Sequence, residues 1–291
     1  MSHADRTLVT VATYNEMENL PRLVEEVFQA APQVDLLVID DGSPDGTGQW
    51  CDRKGAEDPR VRCLHRQGKL GLGTAIVAGM RYAVEQGYKY VLNMDADFSH
   101  QPRYLPDLIA GMEPPEGLGV AGVERQGRGA RGEGPGASGQ GQSPRGEVRT
   151  RQSSIINHQS SIPPAVDVMI GSRYVPGGGT QGWPLKRRLM SRGVNCYARW
   201  LLGLKTKDCS GAFRCYRTEL LARLDFDAIR SRGYSFQEEI LWHLKRLGAR
   251  FAETPIVFVD RQRGASKIDS REAVAALWII FRLGLRNLLM R

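Results

Sequence analysis

Cysteine is scarce in this chain, and the cysteines present follow no recognised disulfide or metal-binding pattern. The five residues are Cys51, Cys63, Cys196, Cys209 and Cys215, an odd number without a C-x-x-C pair. Neither a disulfide framework nor a zinc site is therefore indicated, and a reducing compartment is expected. No apolar signal segment precedes the first predicted strand, so the sequence predicts a cytoplasmic protein.

Long apolar runs are absent as well. The most apolar segment, residues 273–290, is interrupted by Arg282 and Arg286. A membrane-spanning helix needs about 20 predominantly apolar residues. We therefore expect a protein that lies peripherally on the cytoplasmic face of a membrane.

Two common glycine-rich nucleotide fingerprints are also missing. The loop GKLGLG at 68–73 matches neither the dinucleotide pattern G-x-G-x-x-G nor the P-loop pattern, which argues against both kinds of site. The formal charge of +8 suits phosphates or an anionic membrane surface. No zinc-finger, RNA-recognition or recognition-helix signature accompanies this charge, so nucleic acid is not expected as a partner.

Strands and helices alternate along the ordered part of the sequence. Strands are predicted at 8–12, 34–39, 61–65, 88–95 and 166–173, and helices at 19–31 and 73–86. This alternation is typical of an α/β fold with a mostly parallel, Rossmann-like sheet covered by helices on both faces. Ligands of such sheets bind beyond the carboxyl ends of the strands.

A strongly polar segment divides this pattern. Residues 115–164 are dominated by Gly, Arg, Ser, Gln and Pro and cannot bury enough apolar surface to form a core, so a disordered insertion is predicted. The predicted organisation is a catalytic domain at 1–114 and 165–260, the insertion, and a loop with a basic amphipathic helix at 261–291. An arginine-glycine segment that binds RNA is the functional alternative for the insertion.

Two carboxylates follow the apolar strand that ends near Met94. Asp95 and Asp97 are spaced i, i+2, and side chains with this spacing point to the same side of an extended chain. They can share a hard cation such as Mg²⁺ or Mn²⁺, which in turn would hold a diphosphate. A polar loop after a core strand is the simpler alternative.

Seven motifs occur in the order found in one enzyme family. They are TYNE at 13–16, VIDDGSPDGT at 38–47, GLGTA at 71–75, DADFSH at 95–100, GSRY at 171–174, DCSGAFR at 208–214 and GASK at 264–267. With these motifs the chain resembles the GT-A glycosyltransferases of family 2, specifically the dolichyl-phosphate (polyprenyl-phosphate) mannosyltransferases. The resemblance covers nearly the whole chain outside the insertion.

The resemblance implies a role for individual positions. The nucleotide sugar would contact Tyr14, Glu16, Asp40, Asp41, Asp95, Ala96, Arg261 and Lys267, the last two on a loop that closes over the diphosphate. The metal would be held by Asp95 and Asp97, with Ser99 as a third ligand. Arg173, Arg187 and Ser191 would grip phosphate, including that of a lipid acceptor, and with Asp97 form the catalytic set. Asp208 and residues 237–239 would line the sugar and acceptor side.

Structural alternatives exist for several of these positions. Glu16 fits the start of a capped helix, and Asp41 fits a tight Asp-Gly turn. Arg187 fits a solvated charge, and Asp208 with residues 237–239 fits buried caps. The sequence also departs from the family at Ala12, where proline is usual, and at Ser99, a weaker ligand than a carboxylate.

The implied reaction is transfer of mannose from GDP-mannose to a polyprenyl (dolichyl) monophosphate with inversion. Another donor, UDP-glucose or a UDP-aminosugar, is the first alternative, and a non-enzymatic basic protein that binds RNA or membranes is the second. Aromatic, aliphatic and basic residues interleave at 183–190 and 197–202, which favours helices at a lipid interface or ordinary helices docked on the sheet. Some family members carry transmembrane helices after the catalytic domain. Since none is recognised here, a small membrane-anchor protein is a possible partner.

Overall fold

The computed structural model describes residues 3–113, 165–231, 233, 235–260 and 270–289, with side chains at 277–287 in the last segment. The chain divides into two units, Met1–Pro114 with Pro164–Arg291, and Pro115–Pro163. The second unit, predicted as a disordered insertion, lies outside the described residues. Arg261 and Lys267 lie outside them as well.

The first unit is built on a mixed sheet. In chain order the strands are β1 (Thr7–Thr13), β2 (Asp35–Asp40), β3 (Val61–His65), β4 (Tyr90–Asp95), β5 (Val168–Ser172), β6 (Gly179–Gln181), β7 (Arg214–Arg217), β8 (Phe251–Pro255) and β9 (Val257–Val259). Seven of the described strands form one sheet in the order β3-β2-β1-β4-β7-β5-β8, and β6 pairs with β9. Only β7 is antiparallel to its neighbours in the larger sheet.

Helices connect the strands, as the alternating sequence pattern predicts. They are α1 (Leu20–Ala30), α2 (Thr47–Glu57), α3 (Leu72–Glu85), α4 (Leu105–Ala110), α5 (Leu185–Leu202), α6 (Thr218–Leu221), α7 (Phe236–Arg246) and α8 (Ser270–Leu289). The predicted mostly parallel α/β sheet with flanking helices is confirmed. None of the helices in the described part of the chain combines the length and apolarity that crossing a membrane requires.

The sheet has an apolar core on each face. Successive strand residues point to opposite sides, so Leu37 and Val91 pack in one core while Leu36 and Leu92 pack in the other. Because both faces are covered, β1, β2 and β4 are mostly apolar, and the buried Thr10 and Asn93 in the middle of β1 and β4 are hydrogen-bonded to each other. Polar side chains are consequently concentrated where the strands end.

Strand register brings these polar ends to one edge. Thr13 lies opposite Asp40, and Asp40 lies opposite His65. Asp95 at the end of β4 lies opposite Ala12 of β1. The carboxyl ends of β1, β2, β3 and β4 therefore meet at a common rim, which is the expected place for a ligand site in a parallel sheet.

Arg217 joins the stretches of chain on either side of residues 114–164. Its Nη2 donates to the carbonyl oxygen of Met112 at 3.1 Å and to that of Val166 at 3.1 Å. One guanidinium nitrogen therefore holds the chain on both sides of the segment. Met112, before the segment, and Val166, after it, therefore lie close together at the end of the sheet.

Candidate active site

The loops after β1 and β2 are bound to each other by backbone amides. The N–H groups of Asn15, Glu16 and Met17 donate to Ser43 Oγ at 2.9 Å, Thr47 Oγ1 at 3.1 Å and Asp45 Oδ2 at 3.0 Å, respectively. Asn15 has a φ of 61°, which asparagine tolerates better than most residues. The two predicted donor-binding motifs thus form one continuous surface.

Asp40 organises the interior of this surface. It is buried and accepts hydrogen bonds from Thr13 Oγ1 at 3.0 Å and Ser43 N at 3.0 Å, with a further bond from the Ser43 hydroxyl. The described contacts of Asp40 are therefore with its own loops. Its predicted contact with the nucleotide remains a prediction.

Asp41, unlike Asp40, forms an ion pair with an arginine. Arg66 Nη1 lies 2.9 Å from Asp41 Oδ1, and Arg66 also donates to Thr74 Oγ1 at 2.6 Å. Burial raises the pKa of Asp41, and the Arg66 guanidinium opposes this effect. Asp41 precedes Gly42, whose φ of 72° fits the tight turn expected for an Asp-Gly pair.

Tyr14 and Glu16 lie at the mouth of the same loops. The ammonium of Lys69 is 5.0 Å from the centre of the Tyr14 ring. Glu16 Oε2 accepts a hydrogen bond from Asn19 Nδ2 at 2.9 Å, and the Glu16 carbonyl accepts from Leu20 N at 2.8 Å. Glu16 thus supports the start of α1, as the structural alternative predicts.

Asp95 and Asp97 follow directly at the end of β4. Both are half-buried, and Ala96 between them is buried. Phe98 adopts a φ of 59°, and the turn lets Ser99 N donate to Asp97 Oδ1 at 3.0 Å. The Ser99 residue is only 1% exposed. Its role as a third metal ligand stays a prediction.

His100 is a residue of the site that the sequence analysis did not assign. Its Nδ1 accepts a hydrogen bond from the Asp95 N–H at 3.1 Å, and its ring stacks on Phe213 at 4.9 Å. Burial lowers the pKa of His100, although the nearby Asp95 and Asp97 oppose this shift. The signal was its place in the DADFSH motif, three residues after Asp97.

Arg173 and Asp208 form a buried ion pair near His100. Arg173 Nε donates to Asp208 Oδ2 at 2.7 Å and Nη2 donates to Oδ1 at 2.6 Å, with Ser210 Oγ at 2.8 Å from Nη2. Burial alone would raise the pKa of Asp208, but the adjacent guanidinium outweighs it and lowers the pKa. This two-bond geometry is the strongest form of such a pair.

Arg187 is paired rather than merely solvated. Its Nη1 donates to Asp260 Oδ1 at 2.8 Å, and its guanidinium lies 4.2 Å from the centre of the Trp183 ring. Arg173 contacts the same ring at 5.5 Å. Trp183 therefore links two of the predicted phosphate-binding arginines, and the partner Asp260 was not predicted.

Ser191 reaches this region through Tyr174. The Tyr174 hydroxyl donates to Ser191 Oγ at 2.7 Å. Beside them opens a cleft of about 560 Å³ between α5 and the loop after β5. Basic or amide side chains that line it are Arg173, Arg192, Asn195, Arg199 and Lys207. Four of these, Arg192, Asn195, Arg199 and Lys207, were not assigned from sequence.

Residues 237–239 at the start of α7 differ in their surroundings. Glu239 accepts from the backbone amides of Arg230 at 3.1 Å and Ser231 at 2.7 Å, which agrees with the cap alternative. Glu238 is buried near Arg214, and burial raises its pKa to about 7. The side-chain oxygen and nitrogen of Gln237 are buried without a hydrogen-bond partner among the described residues.

The site therefore combines four predicted groups at one sheet edge. The charges of Asp95, Asp97, Arg173 and Asp208 all act on the buried His100, which places the acidic pair and the ion pair around one imidazole. The loop after β1 lies next to the end of β4, and the loop after β2 is bound to the loop after β1. Arg173, whose charge acts on His100, also lines the basic cleft.

Comparison with known proteins assigns this arrangement to a family. The model for glycosyl transferase family 2 matches residues 8–160. The chain belongs to glycosyl transferase family 2. It is 38% identical to the undecaprenyl-phosphate mannosyltransferase of Micrococcus luteus, over 96% of this chain and 94% of that protein. It is 36% identical to the polyprenol monophosphomannose synthase of Mycolicibacterium smegmatis, over 98% of this chain and 89% of that protein.

Solved structures agree on the fold. Glucosyl-3-phosphoglycerate synthase from Mycobacterium tuberculosis, crystallised with Mn²⁺, UDP-glucose and phosphoglyceric acid, superposes with a TM-score of 0.58 at 18% identity, covering 96% of this chain and 80% of that one. The predicted GT-A fold and the resemblance to the polyprenyl-phosphate mannosyltransferases of family 2 are thus confirmed. The protein is a glycosyltransferase.

Proposed function

We propose that the protein transfers mannose from GDP-mannose to a polyprenyl (dolichyl) monophosphate, with inversion at the anomeric carbon. The main support for this proposal is the similarity of the chain to two relatives whose names describe polyprenyl-phosphate mannose synthesis. They match nearly the full chain at 38% and 36% identity. The geometry of the site supports the same reaction class. It offers separate surfaces for a nucleotide sugar and for a second phosphate.

The donor is assigned to the loops after β1 and β2. Tyr14, Glu16, Asp40 and Asp41 belong to these loops, which lie next to the acidic pair through the register of β1 with β2 and β4. In this proposal the Tyr14 ring and the loop carboxylates contact the nucleoside. Arg261 and Lys267 then act on the diphosphate from the segment that follows Asp260.

The acidic pair suits a divalent cation. Asp95 and Asp97 present oxygen ligands at the end of a strand, half-buried and next to the neutral His100. Mg²⁺ and Mn²⁺ prefer such oxygen ligands, so the residues fit the metal. Asp95 and Asp97 would hold it with Ser99, and the ion would neutralise charge on the departing diphosphate.

The acceptor is assigned to the basic cleft. A lipid monophosphate is anionic at neutral pH, so it needs positioning more than deprotonation by a general base. Arg173, Arg187 and Ser191 surround Tyr174 and Trp183. Arg192, Arg199 and Lys207 extend the positive lining toward solvent. The phosphate attacks the anomeric carbon directly, so no covalent sugar-enzyme intermediate is required.

The lipid chain implies contact with a membrane. Helices α5 and α8 pack together near Gly284, where an added Cβ would lie 2.4 Å from Leu201 Cδ2. Both helices expose large apolar side chains, namely Leu185, Leu189, Met190, Trp200, Leu277, Trp278, Phe281 and Leu285. Exposed arginines accompany them, which suits the headgroup region of an anionic bilayer. We assign this surface to the cytoplasmic face of a membrane, with or without a small membrane-anchor protein.

A direct transfer assay tests the function. Purified protein is incubated with radiolabelled GDP-mannose, polyprenyl phosphate and Mg²⁺ or Mn²⁺, and lipid-linked mannose is extracted and counted. We expect transfer that stops with a chelator and in Asp97→Ala, whereas the exposed control Asp107→Ala keeps it. Parallel reactions contain UDP-glucose or UDP-N-acetylglucosamine. Transfer from a UDP-sugar in preference to GDP-mannose would refute the donor, and full metal-dependent transfer by Asp97→Ala would refute the site.

A further inference from the structure

A cluster of metal-binding side chains lies on the outer edge of the sheet, away from the acidic pair on β4. Asp52, Cys63 and His65 each offer a ligand atom, and these atoms all lie within 4.8 Å of one another. His65 Nε2 is 2.8 Å from Asp52 Oδ1, and Cys63 Sγ is 3.9 Å from His65 Nδ1. We propose that these three residues bind a soft or borderline divalent cation, with Zn²⁺ preferred.

The fold places the three ligands without using a sequence motif. Cys63 and His65 are i, i+2 on β3, so their side chains point to the same side of the strand. Asp52 lies on α2, which packs against β3. β3 is the edge strand of the larger sheet. Ligands that are distant in sequence therefore meet on one surface, which is why a search for C-x-x-C pairs did not reveal them.

The cluster is accessible to an ion. The His65 side chain is 52% exposed and that of Asp52 is 57% exposed, while Cys63 is partly buried beneath them. Cys51, adjacent to Asp52 in the chain, is fully buried, and its thiol donates to the carbonyl oxygen of Arg62 at 3.6 Å. The site thus has a solvent side for the ion and a buried side that holds its sulfur ligand.

The chemical nature of the three ligand atoms indicates which metal ion the site would bind. One sulfur, one imidazole nitrogen and one carboxylate oxygen match the ligands of Zn²⁺ in proteins. Mg²⁺ prefers oxygen ligands only, which are the ligands of the acidic pair. Three protein ligands leave a fourth tetrahedral position for water. The chain would therefore bind two kinds of cation at two places with different chemistry.

The new site adjoins the donor surface. A Cβ added at Gly48 would lie 3.1 Å from Asp40 Oδ2 and 3.1 Å from His65 Cε1. The His65 ring and the Asp40 carboxylate therefore border the same small space over Gly48. A metal-bound His65 would be fixed next to the carboxylate that holds the two donor loops together.

Cobalt substitution provides a test that does not depend on catalysis. The full chain is reduced, stripped of metal and titrated with Co²⁺, which gives a thiolate-to-cobalt absorption band when sulfur is a ligand. We expect one equivalent of Co²⁺ to produce the band and Zn²⁺ to abolish it. Zn²⁺ affinity is measured by competition with a chromophoric chelator. Cys63→Ser and His65→Gln should each weaken it by about tenfold or more.

Matched variants make the result decisive. Cys196→Ser removes an exposed thiol on α5 and should keep the band. Asp97→Ala should keep it as well, because the transfer site is separate. A folded wild-type protein without the band would overturn the proposal, as would a band that persists in Cys63→Ser.

Discussion

At the scale of single residues, two buried carboxyl groups show how the surrounding groups determine whether an acid is ionised. Asp208 meets the guanidinium of Arg173 through two hydrogen bonds, and its pKa is lowered despite burial. Glu238 is equally buried, but its Oε2 has no hydrogen-bond partner among the described residues. Burial therefore dominates there and raises its pKa to about 7. One acid stays ionised at neutral pH while the other is close to half protonated.

Glu238 makes folding stability depend on pH. The folded protein keeps a proton on Glu238 up to about pH 7, whereas in the unfolded chain the carboxyl loses it near its ordinary pKa of 4.5. Between these values the folded state binds more protons, so stability falls as pH rises, by about 3 kcal/mol in total. Glu238→Gln mimics the neutral acid and should remove this fall.

Urea unfolding followed by circular dichroism measures the effect. The free energy of unfolding of Glu238→Gln minus that of the wild type should increase by about 2.5 kcal/mol from about pH 5 to about pH 8. The exposed Glu219→Gln on α6 serves as the control and should show a constant difference. A constant difference for Glu238→Gln would contradict the assignment.

Individual site residues were predictable only where local sequence carries the signal. Asp95 and Asp97 follow an apolar strand, and that position is visible in the sequence. Asp260 was missed because its importance depends on a distant partner, Arg187. His100 stands in the DADFSH motif but was not assigned, because its contact with Phe213 is not local. Asp40 was assigned to the nucleotide from the resemblance, but its bonds to Thr13 and Ser43 appear only once the loops are folded.

At the scale of secondary structure, periodicity predicted the first five strands of the larger sheet but neither β8 nor β7. This strand has only four residues, Arg214–Arg217, with an arginine at each end, and therefore resembles a polar loop. Arg214 is nevertheless fully buried, because its guanidinium donates to the carbonyl oxygens of Cys209 at 2.6 Å and Gln237 at 2.8 Å. These hydrogen bonds offset the cost of burying the guanidinium, but they leave no local pattern in the sequence from which the strand could be predicted.

Helices α5 and α8 present tryptophans to solvent. Trp200 is 79% exposed and Trp278 is 63% exposed. Large apolar side chains are unusual at such exposure unless they mark an interaction surface. Their neighbours in sequence include Arg199 and Arg282. In the proposed membrane contact, both indole rings enter the headgroup region.

Replacing both tryptophans should therefore weaken membrane binding more than chemistry. We expect the double variant Trp200→Ser with Trp278→Ser to bind anionic vesicles at least about tenfold more weakly, since each buried aromatic contributes roughly 1.5–3 kcal/mol. Transfer to a short, water-soluble prenyl phosphate should change little. Vesicle sedimentation and the transfer assay measure the two quantities. The matched Trp→Phe pair should retain most binding, and unchanged sedimentation of the Ser pair would refute the surface.

At the scale of the whole molecule, the segment 115–164 separates the two classes of function that the sequence left open. The acidic pair, the ion pair and the basic cleft all lie outside it. An enzyme of the proposed kind does not need it for catalysis. A basic protein that binds RNA through arginine-glycine repeats would lose its partner without it.

Deletion of residues 115–164 with a short Gly-Ser linker is the corresponding experiment. We expect transfer activity within about twofold of the full chain, and unfolding free energy within roughly 1 kcal/mol, because loop length changes closure entropy only slowly. The assay and urea unfolding are run on both proteins. Loss of transfer by a shortened chain that unfolds normally would show that the segment takes part in the reaction.

The two hydrogen bonds that Arg217 donates to the carbonyl oxygens of Met112 and Val166 have a practical consequence. Since one guanidinium already fastens Met112 and Val166 side by side, a guest domain with adjacent termini spliced between them would add little strain to the host. A fluorescent protein placed there would report the enzyme's position on vesicles while leaving both chain ends unmodified. The chain between Met112 and Val166 is therefore a suitable site for inserting a reporter domain.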